Sequence, residues 1–151
     1  MKNWLGSGPW TREQVETHLS LCRVPLRLGC LDGNGRPRVV SLWFEWNDGA
    51  LYCATQKDSA VARWLGASPA VGFEVSADSP PYRGVRGSGI AEIDPARGST
   101  WLRRLLDRYA VAEGAKLRAE LLRRVSSEVA IRIDPSRIDS WDYTEQMTGV
   151  R

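Results

Sequence analysis

Residues 24–55 read VPLRLGCLDGNGRPRVVSLWFEWNDGALYCAT, and this stretch decides the fold. Val24, Leu26, Leu28 and Cys30 recur at every second position, the period of a strand with one buried face. Asp32-Gly33-Asn34-Gly35 supplies residues that tolerate positive φ, so a second strand over residues 36–46 is predicted to run back antiparallel. Asn47-Asp48-Gly49 makes another tight turn into a third strand over residues 50–55, and the three form a meander.

Outward from this stretch the same reasoning places the remaining elements. Thr11-Arg12-Glu13-Gln14 has the form of a capping box, which predicts a helix over residues 12–20. After the third strand, Asp58 or Ser59 can cap a helix whose Val61, Trp64 and Leu65 share a face and which Gly66 and Pro69 end. Val71, Phe73 and Val75 alternate in a fourth strand. A long fifth strand over residues 82–93 carries Gly84, Gly87 and Gly89, a pattern of bulges or close backbone approach. Asp94-Pro95 opens a helix with the apolar stripe Trp101, Leu102, Leu105, Leu106 and Tyr109, and a further helix is predicted over residues 115–124. Val129, Ile131 and Ile133 alternate in a sixth strand, which Asp134-Pro135 is expected to break before a tail ending Trp141-Asp142-Tyr143. Six strands in 151 residues are too many for a flat open sheet, so a mainly β, six-stranded antiparallel Greek-key barrel with peripheral helices in a single domain is expected.

Composition narrows the function classes. The three cysteines, Cys22, Cys30 and Cys53, lack CxxC spacing, which argues against a disulfide framework or a zinc site and for a reducing cytosol. No apolar run approaches the ~20 residues that span a bilayer, and residues 1–10 lack the basic-then-apolar pattern of a leader, so no membrane association is expected. Residues 101–124 hold seven basic and three acidic side chains, yet the acids Asp107, Glu113 and Glu120 interrupt them. A solvated amphipathic face is therefore the preferred reading over nucleic-acid binding through Arg103, Arg104, Arg108, Arg123 and Arg124.

Four segments then take on meaning together: Pro37-Arg38-Val39-Val40-Ser41-Leu42-Trp43-Phe44, Leu51-Tyr52-Cys53-Ala54-Thr55, the run from Ser59 to Leu65, and Pro81-Tyr82-Arg83-Gly84-Val85-Arg86-Gly87. Their order and spacing resemble the flavin-binding split-barrel proteins related to pyridoxamine 5′-phosphate oxidase, over residues 24–93. The resemblance implies a homodimer with flavin mononucleotide (FMN) in a groove between subunits, and it implies that Arg38, Val40, Ser41, Ala54, Thr55, Lys57, Ser59 and Arg83 line that groove. The strand-to-helix junction Thr55-Gln56-Lys57-Asp58-Ser59 would present free amides and a helix dipole to the phosphate.

Departures from the pattern are informative. Trp43, Ala60 and Val61 stand where the family's oxidases carry cations, and each lost charge-assisted bond weakens phosphate binding by on the order of 1.5–3 kcal/mol. Arg63, Arg83 and Arg86 are candidates to compensate, with Arg83 chosen for the groove because residues three apart on a strand face opposite ways. A deazaflavin, and then haem, are the alternative ligands that relatives in the superfamily suggest. His18, the obvious haem ligand, reads better as a surface or packing residue and is given no role. Trp43, Trp64 and Trp141 could wall a flat ring, although tryptophan more often fills core and dimer contacts.

Cofactor chemistry needs no protein nucleophile, and neither a triad nor a carboxylate pair is evident; Glu45, Glu74 and Glu92 fall on different strands. The expected function is a flavin-dependent oxidoreductase acting on a small molecule, with a non-enzymatic ligand-binding barrel as the alternative. The true oxidases use an arginine-x-histidine segment near the carboxy terminus, and the sole histidine here is His18, so pyridoxamine phosphate itself is not the expected substrate. Dimerisation is also expected from strand two, where Val40, Leu42 and Phe44 lie opposite Val39 and Trp43.

Overall fold

Thr11 opens the first helix as its sequence requires: the Thr11 hydroxyl accepts from the Gln14 amide while the Gln14 side chain accepts from the Thr11 amide. In the computed structural model, which describes residues 4–150, this helix is α1 (Arg12–Leu21). It is followed by β1 (Leu26–Leu31), β2 (Pro37–Leu42), β3 (Glu45–Asn47), β4 (Ala50–Gln56), α2 (Ala60–Ala67), β5 (Ala70–Ser76), β6 (Arg83–Asp94), α3 (Gly98–Arg108), α4 (Lys116–Arg123) and β7 (Glu128–Asp142). Every strand pair is antiparallel, and the sheet order is β2-β1-β5-β6-β7-β4-β3.

The mainly β class is as expected, but the described residues hold seven strands rather than six, because the predicted second strand stops at Leu42 and resumes at Glu45. The three-strand meander is corrected accordingly. β1 and β2 form one hairpin and β3 and β4 another, and the two hairpins sit at opposite ends of the sheet order. Leu42 and Glu45 are three peptide steps apart, a reach of roughly 11 Å, so the outer strands must come together there and the sheet curls into a barrel. Tyr109, at the end of α3, holds this link: its hydroxyl accepts from the Phe44 amide at 3.3 Å, and its ring stacks on Trp43 at 4.8 Å.

The turns follow their residues. Asp48 and Gly49 both have positive φ, as a tight hairpin requires, and the Asp32 carboxylate accepts from the amides of Asn34 and Arg36. On β6 the bulge falls between Ser88 and Gly89, opposite Pro135 and Arg137. A side chain at Gly87 would meet the Arg137 carbonyl at 2.2 Å and the Phe73 ring at 2.5 Å. Pro135 does not end the sixth strand of the sequence reading, contrary to expectation. β7 runs on to Asp142 because the proline sits where the bulge has already interrupted the ladder and no amide is needed.

Residues 5–8, which carry no strand pattern, lie along the edge of β7 that β4 leaves free. The Leu5 amide donates to Ser136, the Ile138 amide to Leu5 and the Ser140 amide to Ser7, each at 2.9 Å. The barrel core is Leu26, Leu28, Phe73, Val75, Val85, Ile131, Ile133 and Ile138, stopped by Val15 and Leu19 of α1 and Val61 and Leu65 of α2. Trp101, Leu102, Leu105 and Leu106 of α3 are buried where that helix packs on β4 and β7.

Candidate functional site

The junction of β4 and α2 is built from local sequence. The Ser59 amide donates to Gln56 at 3.0 Å, which turns the chain out of the strand, and Ser59 becomes the N-cap of α2, its hydroxyl accepting from the Ala62 amide at 3.1 Å. Asp58, the other capping candidate, stays outside the helix and is exposed. Thr55 and Ser59 share a hydrogen bond between their hydroxyls at 3.0 Å. Two hydroxyls carry two protons, and their mutual bond uses one, so whichever donates, one proton remains to be given to an outside acceptor. The Ala60 and Val61 amides that open α2 have no intrahelical partner.

Cations gather around this donor cluster. Arg63 donates to the Asp58 carbonyl at 2.7 Å, Arg124 arrives from the end of α4 at 3.4 Å from the Asp58 carboxylate, and Lys57 is exposed beside them. Arg38 reaches over from β2 to lie 4.8 Å above the Trp64 ring of α2 while pairing with Asp32 at 3.3 Å. Arg124 was legible in the sequence only as one cation of a basic run; what places it here is the return of the chain into β7, 66 residues on from Asp58. Beneath the junction Gln56 bonds the buried Glu128, whose carboxyl burial pushes above its ordinary range.

The structure thus brings Thr55, Lys57 and Ser59 together, with Arg38 farther along α2 at Trp64. Ala54, next to Thr55, is paired with Ala130 and half-buried, and Val40 packs on the core from β2. Ser41 faces Arg27 on the outer side of the sheet. Arg83 stands apart: it pairs with Asp142 at the start of β6, whereas Thr55 is level with Val129 near the far end, roughly 35 Å of strand away. Arg86 lies between Glu74 and Asp139. Of the compensating arginines, Arg63 alone joins the cluster.

The tryptophans are partly committed. Trp43 stacks on Tyr109, Trp64 lies under Arg38, and Trp141 sits 5.8 Å from Tyr143 with its indole N–H buried and without an acceptor. His18 packs on Trp10 and bonds the Val75 carbonyl. Among the described residues no three His, Cys, Asp or Glu side chains form a group able to hold a metal, and no helix is long and apolar enough to cross a membrane. Cys22, Cys30 and Cys53 are free thiols, the last two buried.

On the outside of the sheet, Val39 is paired with Gly29, Gly29 with Gly72 and Gly72 with Ser88, so two residues without side chains form the floor of a shallow trough. Val39 (73% exposed) and Ile90 (54% exposed) stand on it uncovered.

No protein-family model matches the chain, and no curated protein matches it by sequence. Its three-dimensional likenesses are clear: the chain has the split-barrel fold of the pyridoxamine 5′-phosphate oxidase-like proteins. A F420 reductase is 24% identical with a TM-score of 0.70, over 85% of this chain and 98% of that one. A conserved hypothetical protein from Mycobacterium tuberculosis is 22% identical with a TM-score of 0.73, over 91% and 88%. A presumed pyridoxamine 5′-phosphate oxidase from Listeria innocua is 18% identical with a TM-score of 0.65, over 85% and 95%. The same fold is shared with a FAD-binding protein from Mesorhizobium loti (23% identical, TM-score 0.64, 87% and 93%) and a haem storage protein from Vibrio cholerae (17%, 0.60, 82% and 89%).

Proposed function

We propose that the chain is a flavin-type oxidoreductase acting on a small molecule, with FMN as the cofactor and a second copy of the chain completing the groove. The observation that carries this reading is the spare hydroxyl proton of the Thr55–Ser59 pair beside the open amides of α2, ringed by Lys57, Arg63 and Arg124. A cluster of donors with net positive charge suits a phosphate oxygen. Arg63 and Arg124 stand in for the cations that Ala60 and Val61 lack.

When bound, the ring supplies hydride chemistry. The protein's part would be to hold the phosphate at Thr55 and Ser59 and to keep water from the ring, with Val40 able to offer an apolar contact from β2. The trough at Val39, Gly29 and Gly72 supports the dimer, since an uncovered apolar sheet face asks for a partner. Two fold neighbours, a F420 reductase and a FAD-binding protein, support a flavin-type ligand. A deazaflavin is the second reading, and a haem-binding or purely sequestering barrel the third.

An absorption spectrum of the freshly purified protein, followed by titration with FMN, F420, haem and riboflavin, tests the reading. FMN is expected to bind at least about tenfold more tightly than riboflavin, which lacks the phosphate, and Thr55→Val to remove much of that difference. Equal affinity for the two would overturn the phosphate placement. Reduction of bound FMN by a nicotinamide donor separates an enzyme from a sequestering barrel, and no pyridoxal phosphate is expected from pyridoxamine phosphate.

A further inference from the structure

A second concavity lies at the other end of the barrel, between α1 and the ends of β5, β6 and β7. It has a volume of about 650 Å³, within the range of small-molecule sites, and mostly apolar walls that include Trp10, His18, Leu21, Val24 and Ala77. Arg83 lines it, and its backbone carbonyl accepts from the Ala77 amide at 2.9 Å. Its guanidinium makes no hydrogen bond or close ion pair with any described residue and acts only as a nearby charge that adds to the Thr144 hydroxyl's bond in holding the Asp142 carboxyl below its ordinary range. Its neighbour across the ladder, Asp142, is already committed: one carboxylate oxygen accepts from the Trp10 indole at 3.0 Å, the other from the Thr144 amide at 2.9 Å and from the Thr144 hydroxyl. His18 gives no second cation. Its Nε2 faces the Val75 carbonyl at 2.9 Å and so carries the hydrogen, and burial together with nearby Arg83 favours the neutral ring.

We propose that this cleft binds a small monocarboxylate with an aromatic or otherwise apolar body, its carboxylate held by Arg83 and its body lying against Trp10, Leu21 and Val24. The uncommitted guanidinium offers a planar fork of donors to a carboxylate. Glu13 and Asp78 line the same cleft as exposed, solvent-screened acids, and with Asp142 they oppose a phosphate dianion about twice as strongly as a single carboxylate, whose charge Arg83 can match one for one. The site is independent of the α2 junction, which lies at the opposite end of β6.

The test uses the protein as purified, titrated calorimetrically with benzoate, indole-3-acetate, benzamide and phenyl phosphate. The two carboxylates are expected to bind, with benzamide and phenyl phosphate at least about tenfold weaker at this site. Arg83→Gln is expected to weaken carboxylate binding by roughly tenfold to a hundredfold. Thr17→Trp, which places an indole into the cleft from an exposed position on α1, should abolish it. Ser59→Ala should leave carboxylate binding unchanged, so a failure of the cofactor reading and a failure of this one are told apart. Equal affinity for benzamide, carboxylate binding that survives Arg83→Gln or Thr17→Trp, or no binding of either acid up to about 10 mM overturns the proposal.

Discussion

Gly98 begins α3 with its Cα against β7, where an added Cβ would lie 1.8 Å from the Glu128 carbonyl. Backbone cannot swing aside as a side chain can, so Gly98→Ala is expected to destabilise the fold by about 1–3 kcal/mol in a denaturant titration. Gly33, in the first hairpin turn, has nothing within 4 Å of an added Cβ, and Gly33→Ala should be neutral within about 1 kcal/mol. Glu128 sits beside the same contact. Burial raises its pKa, opposed by the bond from Gln56 and the charge of Arg124, so the folded chain holds the proton more tightly than the unfolded one. Its favourable contribution is therefore complete below the ordinary glutamate value of 4.5 and is lost as pH rises through the raised folded value. Glu128→Gln should accordingly be more stable than the native chain at pH 7, and the two should converge near pH 4; a native chain that is the more stable at pH 7 would contradict this.

Between elements, the link from β2 to β3 rests on one side chain from a distant helix. Tyr109→Phe keeps the stack on Trp43 but leaves the Phe44 amide without its acceptor, a loss of about 1–3 kcal/mol. Tyr109→Ala loses the stack as well and should be lower by a further 0.5–1.5 kcal/mol or so. If the two variants melt together, the stack contributes nothing to closing the barrel. Three arginines of α3 and α4 are similarly engaged within the fold: Arg104 pairs with Glu45, Arg118 with Asp107, and Arg108 donates to the carbonyls of Leu19, Ser20 and Cys22. These bonds give those three arginines a structural use.

For the whole molecule, the open trough on β1, β2, β5 and β6 is the feature that a lone subunit leaves unexplained. A dimer is expected at micromolar concentration by light scattering. Val39→Asp, at a position 73% exposed in one chain, should give monomers with an unchanged circular dichroism spectrum and weakened FMN binding. A native chain that is monomeric under those conditions removes the dimer, and with it the groove the cofactor reading requires.

The alternation of Leu26, Leu28 and Cys30, the turn residues at 32–35 and 47–49, and the Thr11 and Ser59 caps made most elements readable, because strands, turns and caps are set by neighbours a few residues apart. The Thr55–Ser59 cluster was readable for the same reason, lying within five residues. Three things were not. The break at Trp43 and Phe44 depends on Tyr109, the passage of β7 through Pro135 depends on a bulge in its partner strand, and the place of Arg124 beside Asp58 depends on the chain's return. Each is a contact between residues far apart in the chain, and only the closed barrel brings them together. The separation of Arg83 from the phosphate cluster belongs with them, since strand register along β6 and β7, which no local pattern encodes, put the two at opposite ends of the molecule.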